Sequence, residues 1–331
     1  MKRKTLFTID TIYRQPLAVE GLYFSEGPDA APAVAVVGAL RGDEVQQMYI
    51  CSLLVGTLAR LEQEGRLAPG RKILVVPCLN TFSMNIGERF WAVDNTDVNR
   101  MFPGYDKGET TQRIAAALFA HLRGFEYGVH LTSFYQRGNF IPHVRLWETG
   151  YEQAQLADGF GLPYVVHSTP APIDTTTLGY NLQVFGTQAF SLYSRNTSSV
   201  HEKSAHRALR AILAFLAERG VLLPGSADIP EAPPDPAYPD SAAPVHLHED
   251  ALVTVLSERG GLYFPAREPG DRVNTGDELA VIRDPFTGEE KERVHAPASG
   301  HIFFAHEGNL IAGHDVCFRM IPDAATDPSL R

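Results

Sequence analysis

Three short segments combine side chains that could do chemistry. The first is Gly38-Ala39-Leu40-Arg41-Gly42-Asp43-Glu44, and the second runs from Arg89 to Gly104 and contains Asp97-Val98-Asn99-Arg100-Met101-Phe102-Pro103-Gly104. The third is Gly128-Val129-His130-Leu131-Thr132. Carboxylates and histidines are the usual metal ligands and proton carriers. Guanidinium groups fork onto carboxylates and other anions. The first and third segments each follow or end a short apolar run that reads as a buried strand, Val34–Val37 and Tyr127–Leu131. In open α/β sheets such strand ends are where ligands sit.

The elements that must hold these segments alternate along the first two thirds of the chain. Glu44 to Glu64 carries Met48, Cys51, Leu54, Leu58 and Leu61 at helical spacing, and Gly65 closes it. Lys72–Val76 reads as a strand, Thr110–Leu122 as a second helix and Ser199–Arg219 as a third. Further strands are expected at His143–Trp147, Tyr164–His167 and Ala189–Tyr193. This alternation predicts an α/β domain whose mixed or parallel sheet is flanked by helices on both faces.

A proline-rich stretch, PGSADIPEAPPDPAYPDSAAP from Pro224 to Pro244, suits neither helix nor central strand. It divides the chain into an α/β domain at 1–224, a linker at 225–245 and a C-terminal unit at 246–331. Beyond it the helical period disappears, and short strands separated by turns such as Pro269-Gly270-Asp271 and Thr275-Gly276-Asp277 predict an all-β unit.

The composition narrows the function classes. With 331 residues and 21% charged side chains, the chain has room for about two globular domains. A net charge of −10 opposes nonspecific nucleic-acid binding, which depends on Lys and Arg meeting phosphates. No apolar run reaches the length of a membrane span, and the basic N-terminus lacks the apolar core of a secretory signal. Three scattered cysteines fit a reducing cytoplasm and exclude a cysteine-built metal site. A homo-oligomer stays open.

The three segments together resemble the succinylglutamate desuccinylase/aspartoacylase family of zinc metallocarboxypeptidase-like hydrolases. The motifs of that family are Gly-x-His-Gly-Asp/Asn-Glu, Asp-Leu-Asn-Arg-x-Phe-Pro-Gly and Asp-Leu-His. The block from Asp97 to Gly104 departs from the second motif only by Val98. In the tail, Gly261-Leu262-Tyr263 and Pro269 to Gly276 match as well. The resemblance implies a metallocarboxypeptidase-like mixed sheet with a small C-terminal lipoyl/biotinyl-like barrel-sandwich. It implies hydrolysis of N-acyl amino acids or related carboxylates by a zinc-bound water. Glu44 and His130 stand at metal-ligand positions, and Arg89, Asn99 and Arg100 at substrate-binding positions, with Arg89 also placed to polarise the scissile carbonyl.

Besides Gly128, which stands where the third motif has its Asp, two positions central to the zinc chemistry depart from that pattern. Arg41 stands where the family has its first zinc-binding histidine, and Tyr193 occupies the general-base glutamate position. A guanidinium has no lone pair to donate and repels a divalent cation. Lying three residues before Glu44, Arg41 is expected to pair with that carboxylate and fill the vacated metal position. Two hypotheses result: an anion-binding cleft for a small acidic ligand with the zinc mechanism impaired, or an active hydrolase with a metal site rebuilt around Glu44 and His130. Blander roles compete: His130 as a core histidine, Tyr193 as a packed aromatic, Asn99 and Arg100 as loop ties. His143 and His167 are weak candidates for replacement ligands, and His246 and His248 are expected to be solvated. Lys291 does not sit at a hairpin tip suited to a lipoyl or biotinyl group, so the tail is expected to carry no cofactor.

Overall fold

The computed structural model describes residues 1–10, 15–196, 198–225 and 243–326. Most of the proline-rich linker expected at 225–245 therefore lies outside the described residues.

The chain opens with a hairpin, β1 (Lys2–Ile9) and β2 (Leu17–Phe24), followed by β3 (Ala31–Ala39), α1 (Val45–Gln63) and β4 (Arg71–Cys78). A short helix α2 (Thr81–Met84) and a 3-10 turn at Val98–Arg100 lead to α3 (Thr110–Leu122) and β5 (Tyr127–Thr132). Then come β6 (Gly138–Phe140), β7 (His143–Trp147), β8 (Tyr164–Ser168), α4 (Leu178–Val184), β9 (Gln188–Tyr193) and α5 (Glu202–Glu218). After the linker, β10 (Val245–His248) precedes the strands of the C-terminal unit: β11 (Val253–Leu256), β12 (Gly261–Pro265), β13 (Arg272–Val273) and β14 (Glu278–Arg283). It ends with β15 (Glu290–His295), β16 (Gly300–His306), β17 (Leu310–Ile311) and β18 (Val316–Pro322).

The large sheet has the order β1-β2-β4-β3-β5-β9-β7-β8-β10. Its centre, β4-β3-β5-β9, is parallel, while β2 joins β4 and β7 joins β9 in antiparallel fashion. Alternation along β3 explains the layers. Val34 and Val36 pack in one apolar cluster with Leu54, Leu58, Ile212 and Phe215 of α1 and α5. Ala35 and Val37 pack on the other side with Ile114 and Leu118 of α3 and Leu182 of α4. Burying each such leucine or isoleucine is worth about 1.5–3 kcal/mol, so the two clusters clamp the sheet from both faces.

The C-terminal unit consists of small antiparallel sheets around Val273, Leu279, Ile282, Phe318 and Met320. Two features join it to the first part more closely than the expected boundary at 246 allows. Strand β10 runs parallel beside β8 as the last strand of the large sheet, and β6 pairs with β16. A further apolar cluster spans the junction, with Phe134, Phe140 and Tyr193 against Phe303, Phe304 and Ile321. Local hydrophobic spacing could not reveal this, because β6 and β10 are three and four residues long and find their partners far away in sequence. Among the described residues no helix is long and apolar enough to cross a membrane.

Candidate functional site

Parallel pairing puts the ends of β3 and β5 side by side, with Val37 opposite His130. The loop after β3 then wraps around Glu44, whose Oε2 accepts the backbone N–H groups of Leu40 (2.9 Å) and Arg41 (3.0 Å). Gly42 is required there by space. A Cβ on it would meet the Glu88 carbonyl oxygen at 2.3 Å and the backbone around Ser83 and Met84 at 2.5–2.6 Å.

The Arg41 guanidinium sits between two carboxylates. Nη1 donates to Glu44 Oε1 at 3.0 Å, Nε to Asp97 Oδ1 at 3.1 Å and Nη2 to Asp97 Oδ2 at 2.8 Å. Both Arg41 and Glu44 are buried, at 4% and 0% side-chain exposure, whereas Asp97 keeps 17%. Ser133, directly after β5, donates its hydroxyl to Glu44 Oε1 and accepts from Arg41 Nη1 (3.3 Å) and Arg89 Nη2 (3.2 Å). One donor and two acceptor positions are the full capacity of a hydroxyl. Burial opposes the charge on Arg41, but Glu44 and Asp97 outweigh it and raise the pKa above its ordinary value. His130, fully buried beside this charge, is pushed down to about 3 by burial and by the Arg41 cation, so its ring is neutral at pH 7. Its Nε2 has no hydrogen-bond partner among the described residues.

A cavity of about 260 Å³ opens beyond this cluster. Arg41, Asn99, Arg100, His130 and Tyr193 all line it. Asn99 uses Oδ1 to accept the Leu178 N–H at 3.0 Å, leaving its NH2 as the donor it can offer a ligand. Arg100 reaches Asp174 Oδ1 at 3.3 Å.

Two expected site residues, Arg89 and Glu44, take other places. Arg89 does not line the cavity. Its Nη1 forks onto Asp43 (3.1 and 2.9 Å) and Nη2 reaches the Phe134 carbonyl oxygen at 2.6 Å. It therefore braces the first motif against the end of β5. Glu44 also lies behind Arg41 and not on the cavity wall. Tyr193 does reach the cavity, but its ring stacks on His143 at 4.6 Å and 8°, with the Arg145 guanidinium 5.1 Å from its centroid. The other histidines do not converge on the site. His143 is fully buried, with Nδ1 on the Ile141 carbonyl oxygen and a pKa pushed down to about 3 chiefly by burial. His167 pairs with His246 (2.9 Å) at the far edge of the sheet, and His246 and His248 reach Asp158 and Glu148. These last two are partnered and also keep 35% and 36% of their side-chain surface exposed.

Zinc needs three or four lone-pair donors converging on one point. Here Glu44 is consumed by two backbone N–H groups, Ser133 and Arg41, and only His130 Nε2 is left. Among the described residues no group of three or more His, Cys, Asp and Glu side chains is placed to hold a metal ion. The residues present do not fit a zinc ion, because the one carboxylate ligand position, Glu44, is already paired with the Arg41 guanidinium, a fixed cation.

Asp43, Asp97 and Ser133 were not singled out from sequence, although each lies within or directly after a motif. Arg145, Glu249 and Arg319 also line the cavity. They come from β7, the turn after β10, and β18, and no local pattern links them.

Sheet, flanking helices and charged strand-end loops place the molecule among α/β proteins with a ligand site at the carboxyl ends of the strands. Residues 30–219 match the model of the succinylglutamate desuccinylase/aspartoacylase catalytic domain, and the chain belongs to that family. It is 26% identical over 262 residues to an N-alpha-acetyl-L-2,4-diaminobutyric acid deacetylase of Halomonas elongata, covering 76% of this chain and 71% of the relative. The fold is similar to that of a succinylglutamate desuccinylase/aspartoacylase from Rhodobacter sphaeroides, with a TM-score of 0.77 and 18% identity over 96% of this chain and 95% of that one. It is also similar to the product-bound ectoine utilization protein of Ruegeria pomeroyi, with a TM-score of 0.75 and 21% identity over 92% and 89% of the two chains.

Proposed function

We propose that this family member keeps an anion-binding cleft for a small acidic, acyl-amino-acid-like ligand, and that its zinc-water mechanism is impaired. The observation that carries this reading is Arg41, which satisfies Glu44 and Asp97 with three guanidinium nitrogens where the family places a zinc ligand. A guanidinium preserves the positive charge the buried carboxylates need, yet it cannot lower the pKa of a bound water or polarise a carbonyl as a metal does. Tyr193, held between His143 and Arg145, supplies no carboxylate base in place of the family's glutamate. The name of the Halomonas relative supports an N-acyl amino acid as the ligand class.

What remains is recognition. Arg100 and the Asn99 amide face the cavity, and a carboxylate docked there gains charge-assisted hydrogen bonds. The same reading takes the large sheet as metallocarboxypeptidase-like, the small unit as a lipoyl/biotinyl-like barrel-sandwich, and the protein as cytoplasmic. Free, buried Cys51, Cys78 and Cys317 support the last point.

Titration calorimetry with N-acetylated amino acids tests the cleft. Binding is expected in the wild type, and Arg100→Ala is expected to weaken it by about 1.5–3 kcal/mol, the worth of a hydrogen bond to a charged group. Turnover of those ligands at a rate that zinc enhances would overturn the reading.

A further inference from the structure

The wall of the cavity away from Arg41 is built by residues that the family motifs do not contain. Arg145 on β7 and Arg319 on β18 both donate to the same oxygen of Glu249, Arg145 Nη2 at 3.2 Å and Arg319 Nη1 at 2.5 Å. Side-chain exposure is 8% for Arg145, 18% for Arg319 and 23% for Glu249. Aromatic faces hold the two guanidinium groups. Arg145 lies 5.1 Å from the Tyr193 ring centroid and 5.8 Å from that of Trp147, and Arg319 lies 5.4 Å from that of Phe134.

Two cations thus share one carboxylate. Both Nε atoms are buried and have no hydrogen-bond partner among the described residues. Burial works against the charge on Glu249, but Arg145 and Arg319 outweigh it and hold its carboxyl at about 2. It is therefore an anion at any physiological pH and is not free to act as a base. One negative charge leaves this trio with a surplus of one positive charge on the wall of a cavity, and each guanidinium bonds Glu249 through a single Nη atom of a group that carries five N–H donors.

We propose that Arg145 and Arg319 form a second anion subsite, which selects ligands carrying one acidic group for Asn99 and Arg100 and another for this pair. The proposal rests on the reading of the cavity as a carboxylate cleft. Glu249 organises the two arginines and partly fills the subsite, so it competes with the ligand's second acidic group. Glu249 and Arg319 both follow the linker, so the C-terminal unit supplies specificity to a site whose other end belongs to the α/β domain.

Titration calorimetry of the full chain tests this with succinate, glutarate and adipate against butyrate and pentanoate, which carry one carboxylate on a comparable carbon chain. At least one diacid is expected to bind tenfold or more tightly than the monoacids. Arg319→Gln is expected to reduce that preference to threefold or less, and Glu249→Gln to strengthen diacid binding at least threefold. A folded Glu249→Gln protein that binds the diacids no better than wild type would overturn the proposal. If the monoacids bind and depend on Arg100 while no diacid binds more tightly, the second subsite fails and the cleft stands. If no member of the series binds, both fail.

Discussion

Replacing Arg41 by alanine isolates the energetic consequence of a guanidinium in the motif. Among the described residues, the substitution removes the only cation contacting Glu44, a carboxylate with 0% exposure, and withdraws three guanidinium nitrogens that donate to Glu44 and Asp97. Removing one partner of a buried pair costs about 3–5 kcal/mol, because the other charge is left uncompensated. Two features push the value to the lower end. Glu44 keeps two backbone N–H donors and the Ser133 hydroxyl, and Asp97, at 17% exposure, can recruit water. A loss of about 3 kcal/mol is therefore expected, which for a domain of this size lowers the melting midpoint by roughly 6–12 °C. Urea and thermal unfolding at pH 7 would measure it. Glu44→Gln in the Arg41→Ala background removes the orphaned charge and should recover at least half of the loss, since contacting residues are not additive. A loss below about 1 kcal/mol, or no rescue by Glu44→Gln, would refute the claim that the pair is mutually compensating.

Three other outcomes follow from the same geometry. Gly42→Ala should destabilise by about 1–3 kcal/mol, as overpacking against rigid backbone does, and wild-type stability in urea would show that the loop can give way. His143 is neutral when folded, with its pKa depressed to about 3, while the unfolded histidine titrates near its ordinary 6.5. Between these values the unfolded state binds the extra proton, so stability is lost as pH falls below 6.5, by up to about 1.4 kcal/mol per pH unit. His143→Gln should reduce the pH 4–6 slope of unfolding free energy by that one proton, with His130 still contributing its own; an unchanged slope would contradict the burial argument. The Arg100→Ala loss of acidic-ligand affinity, read by calorimetry, completes the set.

Much of the fold was legible because its strands and helices announce themselves by period. Thr110–Leu122 and His143–Trp147 have the bounds expected from apolar spacing, and the β3, β4 and β5 runs extend by only a few residues beyond theirs. The hairpin β1-β2 was missed, since its exposed face is rich in charge and, among the described residues, β1 pairs only with β2. The motifs singled out Arg41, Glu44, Asn99, Arg100 and His130, and parallel strand ends bring these residues into one neighbourhood. They could not reveal that Arg89 spends its donors on Asp43 and Phe134, because that depends on how closely the Arg89 loop approaches the end of β5. Nor could they reveal Arg145, Glu249 and Arg319, which meet only when β10 and the C-terminal unit dock on the large sheet.

The central claim is that Arg41 has taken the place of zinc, and zinc affinity tests it most directly. Protein purified without added metal should contain far less than one zinc per chain by elemental analysis, and titration with zinc should give no stoichiometric site involving His130. Arg41→His should create measurable zinc binding that is abolished by His130→Ala. Near-stoichiometric zinc in the unmutated protein, lost on His130→Ala or Glu44→Ala, would contradict the account.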